Sequence, residues 1–211
     1  MFENFADQIE ITIMNVAITA HQLHHRGRPS VTHILASLEQ LRCRGRSGAL
    51  SRLFARANVW LAQNQLPPID PFVVAHDLPK VLATPLETVA TLPALTPRTR
   101  TRVAAALTKL PIGSLTSLST ETQLGRAATL NAAQVLAQNQ LLQLEIVRGE
   151  TFYIATSYLQ FVESLLPVPV VLHHLVSGLQ LMPRSGNSQS KLSSPFQEIY
   201  DPFGYRVNER T

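Results

Sequence analysis

The 211-residue sequence predicts a mainly α-helical chain with one small β-hairpin, arranged as two helical units, a proline-rich linker between them and a flexible tail. Three observations lead there. Apolar residues recur at three- and four-residue spacing through most of the chain. Seven prolines punctuate residues 66–97. Strand-like runs occur on either side of Arg148-Gly149-Glu150, a sequence suited to a hairpin turn.

Residues 4–25 read as a helix. Phe5, Ile9, Ile13, Ala17 and His21 fall at four-residue steps, and Ile11, Met14 and Ile18 widen the stripe. Gly27 and Pro29 end it, and Ser30 is suited to cap a second helix over 31–41 that buries Ile34, Leu35, Leu38 and Leu41. The turn Cys43-Arg44-Gly45-Arg46-Ser47-Gly48 separates it from a third helix over 49–64, burying Leu50, Leu53, Phe54, Val59 and Trp60. In residues 66–97 proline removes backbone donors so often that no helix is expected to run beyond a few turns. The stretch reads as a linker with one or two short helices docked through Phe72, Val73, Val74, Leu82 and Val89.

Thr96-Pro97 then supplies an N-cap and a proline at the first helical position. A helix over 98–110 with Val103, Leu107 and Leu110 on one face follows, then a short helix from Leu115 closed by Gly125. A third covers 129–139 and buries Leu130, Ala133 and Leu136; the strands are 142–147 and 151–155. Residues 158–165 and 170–181 look like closing helices. Residues 183–194 are rich in serine, asparagine and glycine and are expected to be disordered, and 195–211 fit no periodic element. The division is therefore 1–65, a basic helical unit; 66–97, linker; 98–182, second unit; 183–211, tail.

Hydrophobic residues at 45% supply enough apolar material for real cores, and the net charge of +4 is modest, so its placement matters more than its sum. A single cysteine, Cys43, cannot form an internal disulfide, which suits a reducing compartment. Residues 1–7 carry Glu3 and Asp7 rather than basic residues, so a secretory leader is not expected, and no apolar run approaches the roughly 18 residues of a membrane span. The expected location is the cytoplasm.

The order helix, short helix, helix, hairpin between Arg98 and Ala155 resembles a winged helix-turn-helix domain. In that fold two helices brace a third so that it projects toward a major groove. The resemblance implies double-stranded DNA as partner. Arg126, Thr129, Asn131 and Gln134 would point outward, Asn131 and Gln134 toward adenine edges, and Arg126 and the wing's Arg148 would hold phosphates. The helix over 129–139 has no Lys or Arg, so a protein-docking winged helix is the alternative. A second resemblance lies at the front. Gly27-Arg28-Pro29-Ser30-Val31, then Arg44-Gly45-Arg46-Ser47-Gly48, then Leu53 and Trp60 are similar to the N-terminal DNA-binding domain of plasmid-encoded KfrA-type proteins. That similarity implies a plasmid or other mobile-element context. The family's long coiled coil has no counterpart after residue 65.

Charge points the same way without any family. Between residues 21 and 60 lie Arg26, Arg28, Arg42, Arg44, Arg46, Arg52 and Arg56 against one acid, Glu39. Arginine grips phosphate with a planar fork and also reads guanine. Arg98, Arg100 and Arg102 put positive charge at a helix N-terminus against the helix dipole, a placement that phosphate would relieve; Arg98 and Arg102 are candidate contacts, with solvated side chains as the alternative.

His21 and His25 have the i, i+4 spacing of a metal pair, near His24, His33 and Cys43, but no acid or CxxC accompanies them, and no metal or cofactor is expected. His173-His174 read as a partly buried pair. No phosphate-cradling glycine loop, nucleophile triad or paired carboxylates stand out, so the expected protein is not an enzyme. Residues 170–181 and the aromatic tail, with Phe196, Tyr200, Phe203 and Tyr205, are candidate contacts for a second copy or another protein. The competing class is an interaction or scaffold subunit of a nucleic-acid-processing complex. RNA binding is a third option, weakened because no aromatics interleave the arginines.

Overall fold

A computed structural model describes residues 5–26 and 29–167. The described residues form eight helices and three short strands: α1 (Phe5–Arg26), α2 (Val31–Cys43), α3 (Ser47–Gln63), α4 (Pro71–Ala90), α5 (Pro97–Lys109), β1 (Ile112–Ser114), α6 (Leu115–Thr122), α7 (Arg126–Gln138), β2 (Leu142–Val147), β3 (Glu150–Ala155) and α8 (Thr156–Leu165). The mainly helical expectation with a hairpin holds. Residues 170–181, the aromatic tail and Arg28 lie outside the described residues.

Helices α1 and α2 are more deeply enclosed than one amphipathic stripe implies. Every residue from Asn15 to Ala20 of α1 is buried, and so is every residue from Ile34 to Leu41 of α2. Such all-round burial belongs to a helix with neighbours on several sides. Ser30 caps α2 as anticipated, its Oγ accepting from the His33 amide at 3.1 Å. Buried polar groups on α1 find partners on α8: Tyr158 Oη accepts from Asn15 Nδ2 at 3.0 Å and lies 3.3 Å from Thr12 Oγ1. Burial raises the pKa of that phenol, and the two hydrogen bonds oppose the rise.

The expected linker is corrected by α4, a single helix of 20 residues containing Pro79 and Pro85. Asp70 caps it by accepting from the Phe72 amide at 2.8 Å, with Pro71 at the first position. Val74, Leu78, Leu82, Pro85 and Val89 form a buried stripe at three- and four-residue steps. Packing of that stripe outweighs the lost backbone bonds. Pro85 cannot donate to the Val81 carbonyl four residues earlier, and Ser157 Oγ donates there instead at 3.4 Å. Phe72 and Val73, expected to dock, are exposed at 83% and 42%, and Val59 on α3 is exposed too.

Thr96 and Pro97 open α5 as read from the sequence. β1 was not anticipated: at three residues it is too short for an alternation to register. It pairs antiparallel with β3, and β2 pairs with the other edge of β3, giving the order β1-β3-β2. Central β3 buries Phe152, Tyr153, Ile154 and Ala155 in succession. The hairpin joins Val147 to Glu150 through Arg148 and Gly149, both at positive φ (51° and 76°), as a type I′ turn requires.

One cluster of buried side chains runs from Val16 on α1 to Leu166 after α8. α2 lies against the sheet: Thr32 Oγ1 donates to Gln143 Oε1 at 2.9 Å, and Gln40 Nε2 donates to the Val147 carbonyl at 3.2 Å. The N-terminal helices and residues 97–165 therefore share a core.

Candidate nucleic-acid interface

The bond from Gln40 to the Val147 carbonyl pins the last turn of α2 to the end of β2, beside the hairpin tip. The chain then turns back through Arg44, Gly45 (φ 69°) and Arg46, with the Arg46 amide donating to the Leu41 carbonyl at 3.0 Å, and enters α3. Residues distant in sequence are thus neighbours: the arginine-bearing turn and the tip carrying exposed Arg148. Arg44, Arg46, Arg52 and Arg56 are all exposed, and among the described residues none of the four forms an ion pair. From Arg46 to Arg56 they follow α3 over about 15 Å at the helical rise. The tip also carries Glu150, which offsets part of the charge of Arg148.

Two sequence candidates, Arg42 and Arg102, have other duties, and so has Arg100 beside them. Arg42 Nη2 donates to Glu39 Oε1 at 2.6 Å, and Glu39 is only 5% exposed, so Arg42 neutralises a carboxylate held in the fold. Arg102 Nη1 donates to the carbonyls of Thr122 and Gln123 at 3.3 and 3.2 Å, closing the end of α6 where a cation complements the helix dipole. Arg100 does the same after α4, reaching the Ala90 carbonyl at 2.7 Å. Arg98 is exposed. Arg26 ends α1, with its side chain outside the described part.

On α7 the inward stripe is Thr129, Ala132, Ala133 and Leu136. Thr129 is therefore not an outward residue: it is 2% exposed, and its Oγ1 donates to the Gly125 carbonyl at 3.2 Å. Leu130, expected inside, is 42% exposed. Small residues at 129, 132 and 133 let the helix sit close to its neighbours, so Thr129 turns inward in place of Leu130, while Ala133 and Leu136 are buried as expected. Arg126, Asn131 and Gln134 are exposed, as anticipated. Gly125 caps α7 without a side-chain bond.

His21, His24 and His25 gather round Trp60, with ring centroids 4.5 to 6.0 Å from the indole. This is aromatic packing of α1 on α3. Among the described residues no group of three or more His, Cys, Asp or Glu is arranged to hold a metal ion, and no described helix is long and apolar enough to cross a membrane.

Cys43 lies in the arginine turn, its Sγ 3.5 Å from Glu39 Oε1. Cys43 is exposed as a residue, but partial desolvation of its thiol, then the charge of Glu39, pushes its pKa from 9.0 to about 11. Only the thiolate alkylates, so at pH 8 Cys43 will react with iodoacetamide roughly a hundredfold more slowly than an unperturbed thiol. Glu39→Gln will recover part of that rate, measured by mass spectrometry; an unhindered rate in the unchanged chain would contradict this placement of the turn.

Comparison of the chain with family models, curated proteins and solved structures finds no match.

Proposed function

We propose that this chain binds double-stranded DNA without catalysing a reaction, with residues 97–165 acting as a winged helix and the α2–α3 turn as its basic flank. The observation carrying the reading is the bond from Gln40 to Val147, which sets the turn bearing Arg44 and Arg46 beside the wing tip bearing Arg148. The order α5-β1-α6-α7-β2-β3 and the sheet order β1-β3-β2 fit a winged helix. In that arrangement α7 enters the major groove. Asn131 and Gln134 pair with adenine edges, Arg126 and Arg148 hold phosphates, and Arg44, Arg46, Arg52 and Arg56 extend the backbone contact. Such a protein is a transcriptional regulator or a plasmid or mobile-element DNA-binding factor, working in the cytoplasm.

Selection of preferred sites from random duplexes tests the role of α7. Asn131→Ala with Gln134→Ala will lose about tenfold or more discrimination at A·T positions while keeping the salt dependence of binding, because base contacts specify and phosphate contacts hold. An unaltered preference would remove α7 from the reading.

A second reading is favoured by the exposure of Leu130 at 42% and Ile146 at 65%, beside a nearly neutral α7. Here α7 and β2 dock on protein, and the chain is an interaction subunit of a nucleic-acid-processing complex. Asp at Leu130 and Ile146 would then abolish complex assembly and leave binding to bare duplex intact.

A further inference from the structure

Beside its buried stripe, α4 carries a second apolar face. Phe72, Pro79, Ala83, Leu86 and Ala90 are all exposed, Phe72 at 83% and Leu86 at 44%. At the angular step of an α-helix the five fall within a sector about 60° wide. The buried stripe borders this strip on one side. Lys80 and Glu87, both exposed, border it on the other. An exposed apolar strip of this kind marks a contact site rather than ordinary solvent surface.

The placement of the two charges names the occupant. Lys80 and Glu87 are two helical turns apart, about 10 Å, on the same flank of α4. A second α4 laid antiparallel, with a two-fold axis passing beside Ala83, keeps that flank on the same side of both helices. Each Lys80 then stands level with the partner's Glu87, so both pairs are opposite in sign. The small side chain of Ala83 lies at the centre, and Leu86 falls beside the partner's Pro79. A parallel pairing would send the two charged flanks to opposite sides, where neither pair meets. Lys80 holds Asp77 of its own helix at 3.3 Å, but it is 69% exposed and its ammonium has donors to spare. Glu87 forms no ion pair among the described residues. The strip is about 27 Å long and about 10 Å wide, the scale of a weak and reversible contact. We infer that two copies of this chain pair antiparallel through the outer face of α4, with a dissociation constant of about 10–100 μM.

Sedimentation equilibrium of the full-length chain, from about 1 to 500 μM, tests this at low salt. A reversible monomer–dimer equilibrium is expected. Lys80→Glu alone and Glu87→Lys alone each set like charges in both pairs, and each should weaken pairing about tenfold. An equal mixture of these two variants restores opposite signs in both pairs, and should associate about as tightly as the unchanged chain. Leu86→Asp should leave only monomer with unchanged helical dichroism, because Leu86 is already exposed in the single chain. A chain that stays monomeric throughout would overturn the inference and leave the strip to another occupant. A dimer indifferent to Leu86→Asp, or a mixture no tighter than either variant alone, would overturn it too.

Discussion

A chain carrying Arg44→Ala, Arg46→Ala, Arg52→Ala and Arg56→Ala together will bind duplex DNA about a thousandfold more weakly near 0.1 M salt than the unchanged chain. Each phosphate neutralised by an arginine adds about 0.9 to the slope of log affinity against log salt, so losing four contacts flattens it by about 3.6. All four side chains are exposed and form no ion pair among the described residues, so removing them changes stability little. Arg42 and Arg102 are left intact for the opposite reason. Arg42→Ala would strand Glu39 with a buried charge, and Arg102→Ala would open the end of α6, so either would confuse folding with binding. Filter binding or fluorescence anisotropy at several salt concentrations measures the slope. A slope that survives all four substitutions would place the duplex elsewhere.

Leu35→Ala will destabilise the protein by about 2–5 kcal/mol, the usual cost of emptying a fully buried leucine site. Leu35 is 0% exposed on α2, the helix lying between α1 and the sheet. Unfolding should remain one transition, with the midpoint lowered by about 2–4 °C for each kcal/mol. Trp60 is the lone tryptophan and sits on α3, so its fluorescence follows the N-terminal helices while far-ultraviolet dichroism follows the whole fold. The two signals should coincide, because α2 and the hairpin share one core. Separate transitions would restore the picture of independent units joined by a linker.

Local chemistry was readable in advance where it is set by neighbours in sequence. Ser30 and Thr96-Pro97 start their helices because a hydroxyl acceptor and a preset φ suit the first turn, and Arg148-Gly149 turns the hairpin. In residues 66–97 proline signals repeated stops, yet α4 runs through Pro79 and Pro85. The stripe Val74, Leu78, Leu82, Pro85 and Val89 was present in the sequence and outweighs two missing donors once α1, α5 and α8 cover it. The duties of Arg102 and Arg42 were hidden differently. The carbonyls that Arg102 closes belong to Thr122 and Gln123 on another helix, and Glu39 looks like a surface acid until α2 is enclosed. Likewise, the closeness of Arg44 and Arg46 to Arg148 spans about a hundred residues and depends on Gln40, a side chain with no signature of its own.

The most direct measurement is the salt dependence of the unchanged chain on a short duplex, from about 50 to 200 mM. With five or more arginines on phosphate, affinity should fall by about two to three orders of magnitude across that range. Affinity indifferent to salt, or no binding at the low end, would contradict a polyanion-gripping face.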